Sequence, residues 1–233
     1  DLIYNSNDDE ERVLGYMKEF GIDGVILQPG LKVNDWHKSC ERIYEFTQKH
    51  PGHAWGIVSY TPHCSEEEYM EHVSWAINEL GFVAIKLHPE AYCCAANAPQ
   101  ARKVYEAARK LKVPVMIHTG NGVASALPSL VIPMAMEYPD VTFVLAHAGG
   151  GMFGSEALVA AQVCPNIYLE TSWCPVYVVK SFVEKLGCHR LMLGTDNPDN
   201  VGVELAKHYA LHLSEEELAL CLGETARKVF SLK

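Results

Sequence analysis

Three apolar runs in this chain stop at a residue able to hold a metal ion or move a proton. Residues 114–120, PVMIHTG, deliver His118; residues 141–151, VTFVLAHAGGG, deliver His147 ahead of three glycines; residues 191–198, LMLGTDNP, deliver Asp196. Two imidazoles and a carboxylate are donor types that a borderline divalent ion such as zinc accepts, and manganese is the next candidate. An ion held there would bring the pKa of its bound water to about 7 and polarise a carbonyl. Asp196 and His147 are then the candidates for proton transfer. One strand-end histidine is more often a satisfied polar residue than a ligand, but three such groups at equivalent positions turn the balance toward a site. Lys86 and His88 lie two apart in the run FVAIKLHP, so both face the same way. Lys86 is expected to pair with Asp196 or to bind a substrate carboxylate, and His88 to stand at the rim facing substrate or solvent. Gln28, Tyr60, Glu170, Ser172 and Trp173 are further rim candidates by position. Trp173 either covers a flat substrate or packs within its loop. The six arginines fall mostly on helices and offer no fork for a dicarboxylate.

These groups need a scaffold that brings many strand ends to one rim. Short apolar runs bounded by turn residues read as strands of a parallel sheet. Seven are predicted, at 23–28, 54–60, 82–88, 113–118, 141–147, 166–171 and 190–195, and helical patterns separate them. Strand alternation predicts Phe143, Leu145 and His147 on one face. Helix starts are marked by Asn34 as a cap and by capping boxes at Ser65 with Glu68 and Ser214 with Glu217. Repeated strand–helix units predict an α/β fold, and seven strands plus one missing or truncated first strand make the TIM-like (β/α)8 barrel. Residues 2–4 read as a remnant near that strand, and the start at Asp1 predicts further residues upstream. A doubly wound sheet is the competing architecture, but its glycine-rich phosphate loop is missing from the sequence. No linker or composition break divides residues 1–233, so one barrel domain is expected.

Composition narrows the partners. The 233 residues carry 29 acidic and 19 basic side chains, a formal charge of −10. That balance disfavours nucleic acid and anionic membrane surfaces, leaving a small-molecule substrate. The eight cysteines show no CxxC spacing, and vicinal Cys93 and Cys94 read as free thiols. A reduced cytoplasmic compartment without a membrane span is expected, with a homodimer possible on frequency alone.

The motifs KLHP at 86–89, PVMIHTG at 114–120, VLAHAGG at 144–150 and LGTDNP at 193–198 together resemble the amidohydrolase-related metal-dependent hydrolases. The closing LGETARKVF at 222–230 resembles that family's final LGxNAxxLF helix, with Thr225 where asparagine is usual. The resemblance spans nearly the whole chain. It implies His118 as a metal-binding histidine, His147 as a ligand or proton-transfer group, and Asp196 as ligand and proton shuttle. In some relatives a lysine at the place of Lys86 is carboxylated and bridges two metals. The sequence departs from the family in containing no His-x-His pair. The expected activity is hydrolysis of a small amide, ester or lactone by a metal-activated water. Non-oxidative decarboxylation of a small aromatic or unsaturated acid is the alternative within the family. A non-catalytic barrel with a degenerate metal site is the alternative outside it.

Overall fold

A computed structural model of the chain describes residues 7–30 and 35–233. The expected remnant at 2–4 and the expected cap Asn34 lie outside the described residues. Helix α1 (Asn7–Phe20) leads to β1 (Val25–Leu27), and six further helix–strand alternations follow. The strands are β2 (Ala54–Ser59), β3 (Ala84–Leu87), β4 (Val115–His118), β5 (Phe143–Ala146), β6 (Ile167–Glu170) and β7 (Leu191–Met192). They form one seven-stranded sheet in sequence order. Every pairing is parallel. Parallel neighbours joined through helices curl one way, because the crossovers are right-handed. The result is an open TIM-like barrel whose edges are β1 and β7. Between these edges lies a cavity of about 400 Å³, closed below by apolar side chains of α1 and of the C-terminal helix, including Met17, Phe20, Ala226 and Phe230.

The helices on the outside are α2 (Trp36–Lys49), α3 (Glu66–Asn78), α4 (Arg102–Leu111), α5 (Ile132–Glu137), α6 (Gly154–Val163), α7 (Val176–Leu186) and α8 (Val201–Tyr209). Their buried faces and the outward strand residues make the main core, which includes Phe46, Tyr69, Tyr105, Phe143, Leu145 and Phe182. A smaller cluster of Ile57, Ala84, Val144, Met192 and Phe230 fills the inside of the curl. Full burial of each large core side chain contributes roughly 1.5–3 kcal/mol.

Local chemistry sets the ends. Asp35 caps α2 by accepting the Lys38 backbone N–H at 3.1 Å. Ser65 accepts the Glu68 N–H, but the box is half formed because the Glu68 carboxylate accepts the Tyr60 hydroxyl at 2.9 Å. At Ser214 and Glu217 both halves are present. Ahead of α5 the chain forms short 3-10 turns at Ala124–Ala126 and Pro128–Val131 rather than one longer helix, because Pro128 and Pro133 remove backbone donors. The tail forms a consecutive helical run, α9 (Glu215–Ala219), a π turn at Leu220–Glu224 and α10 (Thr225–Val229). Strand β7 stops at Met192 because the Leu193 N–H turns to the Cys221 carbonyl, 2.7 Å away. Cys221 lies in that π turn, so the irregular helix ends the strand that leads to Asp196.

Candidate active site

The C-terminal ends of β3, β4, β5, β6 and β7 bring Lys86, His88, His118, His147, Glu170 and Asp196 to one rim. That is the face on which barrels of this kind carry their chemistry. Lys86 and His88 do share a face, as alternation requires. His147 reaches the site by another route. Phe143 and Leu145 point outward into the helix-facing core, whereas Val144 points inward. His147 does not continue the alternation, because the chain leaves β5 at Ala146 and His147 and Ala148 take left-handed backbone (φ 64° and 39°). Trp173 (φ 62°) and Asp196 (φ 58°) are also left-handed. Each such non-glycine residue costs on the order of 1–3 kcal/mol and persists only where surrounding contacts impose it. Here they cluster around the imidazole and the carboxylate. Tight apposition helps to impose them. Thr119 donates its hydroxyl to the Ala146 carbonyl at 2.8 Å and accepts the Gly149 N–H at 2.9 Å. A Cβ on Gly120 (φ 112°) would lie 2.9 Å from the Gly149 backbone.

The imidazoles form a contiguous group. The His88 ring stacks on His118 at 4.0 Å with 13° between planes, and His118 meets His147 edge-on at 4.8 Å. His88 Nδ1 accepts the Ala91 N–H at 3.3 Å. His118 Nε2 faces Glu90 Oε1 at 3.1 Å. His147 Nδ1 lies 2.6 Å from Ser172 Oγ, and its Nε2 lies 3.8 Å from Asp196 Oδ1. The other Asp196 oxygen accepts the Trp173 indole N–H at 2.7 Å. Trp173 is 53% exposed. Its ring lies over the carboxylate at the surface, and among the described residues no aromatic ring stacks on it. Its backbone N–H donates to buried Glu204 at 2.9 Å. Glu204 pairs with Lys207, which donates to the Thr171 carbonyl at 2.7 Å.

Burial governs the electrostatics. It pushes His88 and His118 down to about 3, and neighbouring imidazoles and Lys86 add to the shift. His147 moves in the same direction, from burial first and Lys86 second. These rings are neutral at pH 7, which is the form that accepts a proton or binds a metal. Burial also lowers Lys86 to about 8, with Asp196 and Glu170 opposing it. Burial alone would raise Asp196, but His147, the Trp173 N–H and Lys86 outweigh it and hold the carboxyl below its ordinary value.

The donor chemistry suits a borderline divalent ion. His147 Nε2 and Asp196 Oδ1 face each other across the cavity mouth, while the Nε2 of His118 is turned to Glu90. Among the described residues no three His, Cys, Asp or Glu side chains converge as a ready metal site. The chain thus presents two facing donors with a third beside them, short of the closed set a structural zinc takes.

Several residues escaped the sequence reading or changed meaning. Glu90 was missed; its signal is its place two residues beyond His88. Glu170 and Ser172, expected only at the rim, are buried beneath His147. Gln28 lines the cavity, and its buried Oε1 has no hydrogen-bond partner among the described residues. Tyr60 belongs to a separate aromatic group with Trp36, His72 and Tyr69. The eight cysteines are all free thiols. Among the described residues no helix is long and apolar enough to cross a membrane.

Comparison with known proteins bears on this geometry. A family profile described as amidohydrolase matches residues 17–232. A search of curated protein sequences finds no significant match. Among solved structures, a 2,6-dihydroxybenzoate decarboxylase complexed with 2,6-dihydroxybenzoate is 18% identical, with TM-score 0.74 over 98% of this chain and 89% of that one. A mutant 5-carboxyvanillate decarboxylase from Novosphingobium aromaticivorans, with bound manganese, is 16% identical, with TM-score 0.74 over 98% and 86%. A probable 2-pyrone-4,6-dicarboxylic acid hydrolase from Acinetobacter baumannii, with citric acid bound, is 14% identical, with TM-score 0.69 over 95% and 88%. At these identities the likeness is one of fold.

Proposed function

Because this chain belongs to the amidohydrolase family, we propose that it hydrolyses a small amide, ester or lactone at the β3–β7 rim. The observation that carries the reading is the approach of His147 Nε2 to Asp196 Oδ1, 3.8 Å apart at the cavity mouth. A neutral imidazole and an ionised carboxylate so placed can take a proton from an attacking water and return it to a leaving group. Lys86, buried and beside Asp196, holds positive charge for a substrate oxygen. Gln28 offers a buried polar atom for orientation. Trp173 donates its indole N–H to Asp196 Oδ2 and orients the carboxylate. His147 and Asp196 would hold a divalent ion, zinc or manganese, with His118 as the third donor of the set. When bound, that ion supplies polarisation of the substrate carbonyl and acidification of water. A small-molecule substrate, a cytoplasmic setting and a possible homodimer belong to the same proposal. The acidic balance of the chain disfavours nucleic acid.

Decarboxylation of a small aromatic acid is the second reading. Lys86 favours it, as a buried cation able to hold a carboxylate, and two fold relatives are aromatic-acid decarboxylases. There a proton first taken by His147 or Asp196 from the substrate's own carboxyl group would pass to the ring carbon as carbon dioxide leaves. The test is a substrate panel of lactones, anilides, aryl esters and hydroxybenzoates, read for released acid, amine or alcohol against carbon dioxide. Hydrolysis products lost in both His147→Gln and Asp196→Asn support the first reading. Carbon dioxide release supports the second. Turnover untouched by either substitution would remove both readings at this rim, and no turnover of any substrate in the panel would favour a non-catalytic barrel.

A further inference from the structure

We propose that Ser172 and Glu170, seated over Gly194, hold His147 as the tautomer protonated on Nδ1, so that an unprotonated Nε2 faces Asp196 and the cavity. The significance of this arrangement rests on reading His147 as the working imidazole. The arrangement itself follows from hydrogen-bond directions.

Glu170 accepts three hydrogen bonds. The His147 backbone N–H reaches Oε2 at 2.9 Å, the Ser172 backbone N–H reaches Oε1 at 2.6 Å, and the Ser172 hydroxyl reaches Oε2 at 2.9 Å. A carboxylate only accepts, so the single hydroxyl proton of Ser172 is committed to Glu170. The 2.6 Å contact between Ser172 Oγ and His147 Nδ1 must then take its proton from the ring. A neutral imidazole carries one N–H, which leaves Nε2 with a lone pair. His147, Glu170 and Ser172 are 6%, 6% and 0% exposed, so water does not compete for these bonds.

Gly194 supplies an independent sign that the carboxylate's seat matters. A Cβ there would stand 2.0 Å from Glu170 Oε1 and 2.4 Å from Cδ. Its backbone is not in the left-handed region, so space and not a turn requires the glycine. The glycine of LGTD therefore makes room for a carboxylate from the neighbouring strand. At the open end of the ring, Nε2 and Asp196 Oδ1 face each other at 3.8 Å as two electron-pair donors. That gap accepts a proton from substrate or a cation. Ser172, Glu170 and Gly194 act through His147 and are positioning residues.

The experiment is nitrogen-15 NMR of imidazole-labelled protein at neutral pH after chelator treatment, so that no ion imposes the pattern. His147→Gln assigns the signals. The wild type is expected to show a protonated Nδ1 and an unprotonated Nε2, this tautomer exceeding the other by about tenfold, the value of one net hydrogen bond. Ser172→Ala, and Gly194→Ala through displacement of Glu170, should shift the ring toward the Nε2-protonated form. Ser172→Thr should retain the wild-type pattern. A wild-type ring protonated on Nε2 overturns the proposal without any variant having to fold, and so does an unchanged tautomer in Ser172→Ala. Should His147→Gln leave turnover intact while the tautomer is as stated, the functional reading fails and the tautomer assignment stands.

Discussion

Acidification offers a severe test of the buried histidine group. His88 and His118 are held at about 3 in the folded chain, against about 6.5 when unfolded. Between those values the unfolded state binds more protons, so stability falls as pH drops below 6.5. At pH 5 each of the two rings costs about 2 kcal/mol relative to pH 7.5, from 1.5 units at 1.36 kcal/mol per unit. His147 moves in the same direction, and the rings touch in series, His88 on His118 and His118 on His147, so their protonation is mutually opposed. A combined loss of about 4 kcal/mol or more is a large part of a total stability of roughly 5–15 kcal/mol. Urea denaturation of metal-stripped protein from pH 7.5 to 5.0 should show this loss. Calorimetry in buffers of different ionisation enthalpy should show about two or more protons taken up on unfolding near pH 5. His88→Gln should flatten the slope by about one proton. A flat stability profile between pH 7.5 and 5.0 would refute the burial argument.

Three further outcomes follow. Trp173→Phe removes the indole N–H from Asp196 and should move the acid limb of a pH–rate profile upward, with the fold unchanged by circular dichroism; an unmoved limb counts against that contact. Asn166→Ala frees the Ala135, Tyr138 and Val141 carbonyls, which the Asn166 side chain bridges at 2.9–3.1 Å, and should cost about 1–3 kcal/mol in urea titration. Phe143→Ala empties a fully buried site between β5 and the helices and should cost about 3–5 kcal/mol; a loss below 1 kcal/mol would place that ring outside the core.

Much of this fold is written locally. Every predicted strand exists, because parallel strands buried on both faces must be apolar runs. Their ends are shorter than predicted, because rim residues leave the ladder early: Leu193 turns to Cys221, and His147 enters a left-handed turn. The strand-end pattern therefore located His118, His147 and Asp196, while alternation misjudged how His147 arrives. The Ser172–Glu170–His147 chain was not legible, since it depends on β5 and β6 being neighbours and on space left by Gly194. Glu68 shows the same limit. Its sequence context completes a capping box, yet a hydroxyl from the preceding strand-end residue, Tyr60, takes its carboxylate.

The central claim is that His147 and Asp196 form the working pair of a metal-dependent site. Elemental mass spectrometry after incubation with zinc or manganese and desalting tests it most directly, on the wild type, His147→Ala and Asp196→Ala. About one equivalent in the wild type, lost in both variants that remain folded, is the result the account predicts. Wild-type protein that retains neither ion, or variants that retain as much as the wild type, would contradict it.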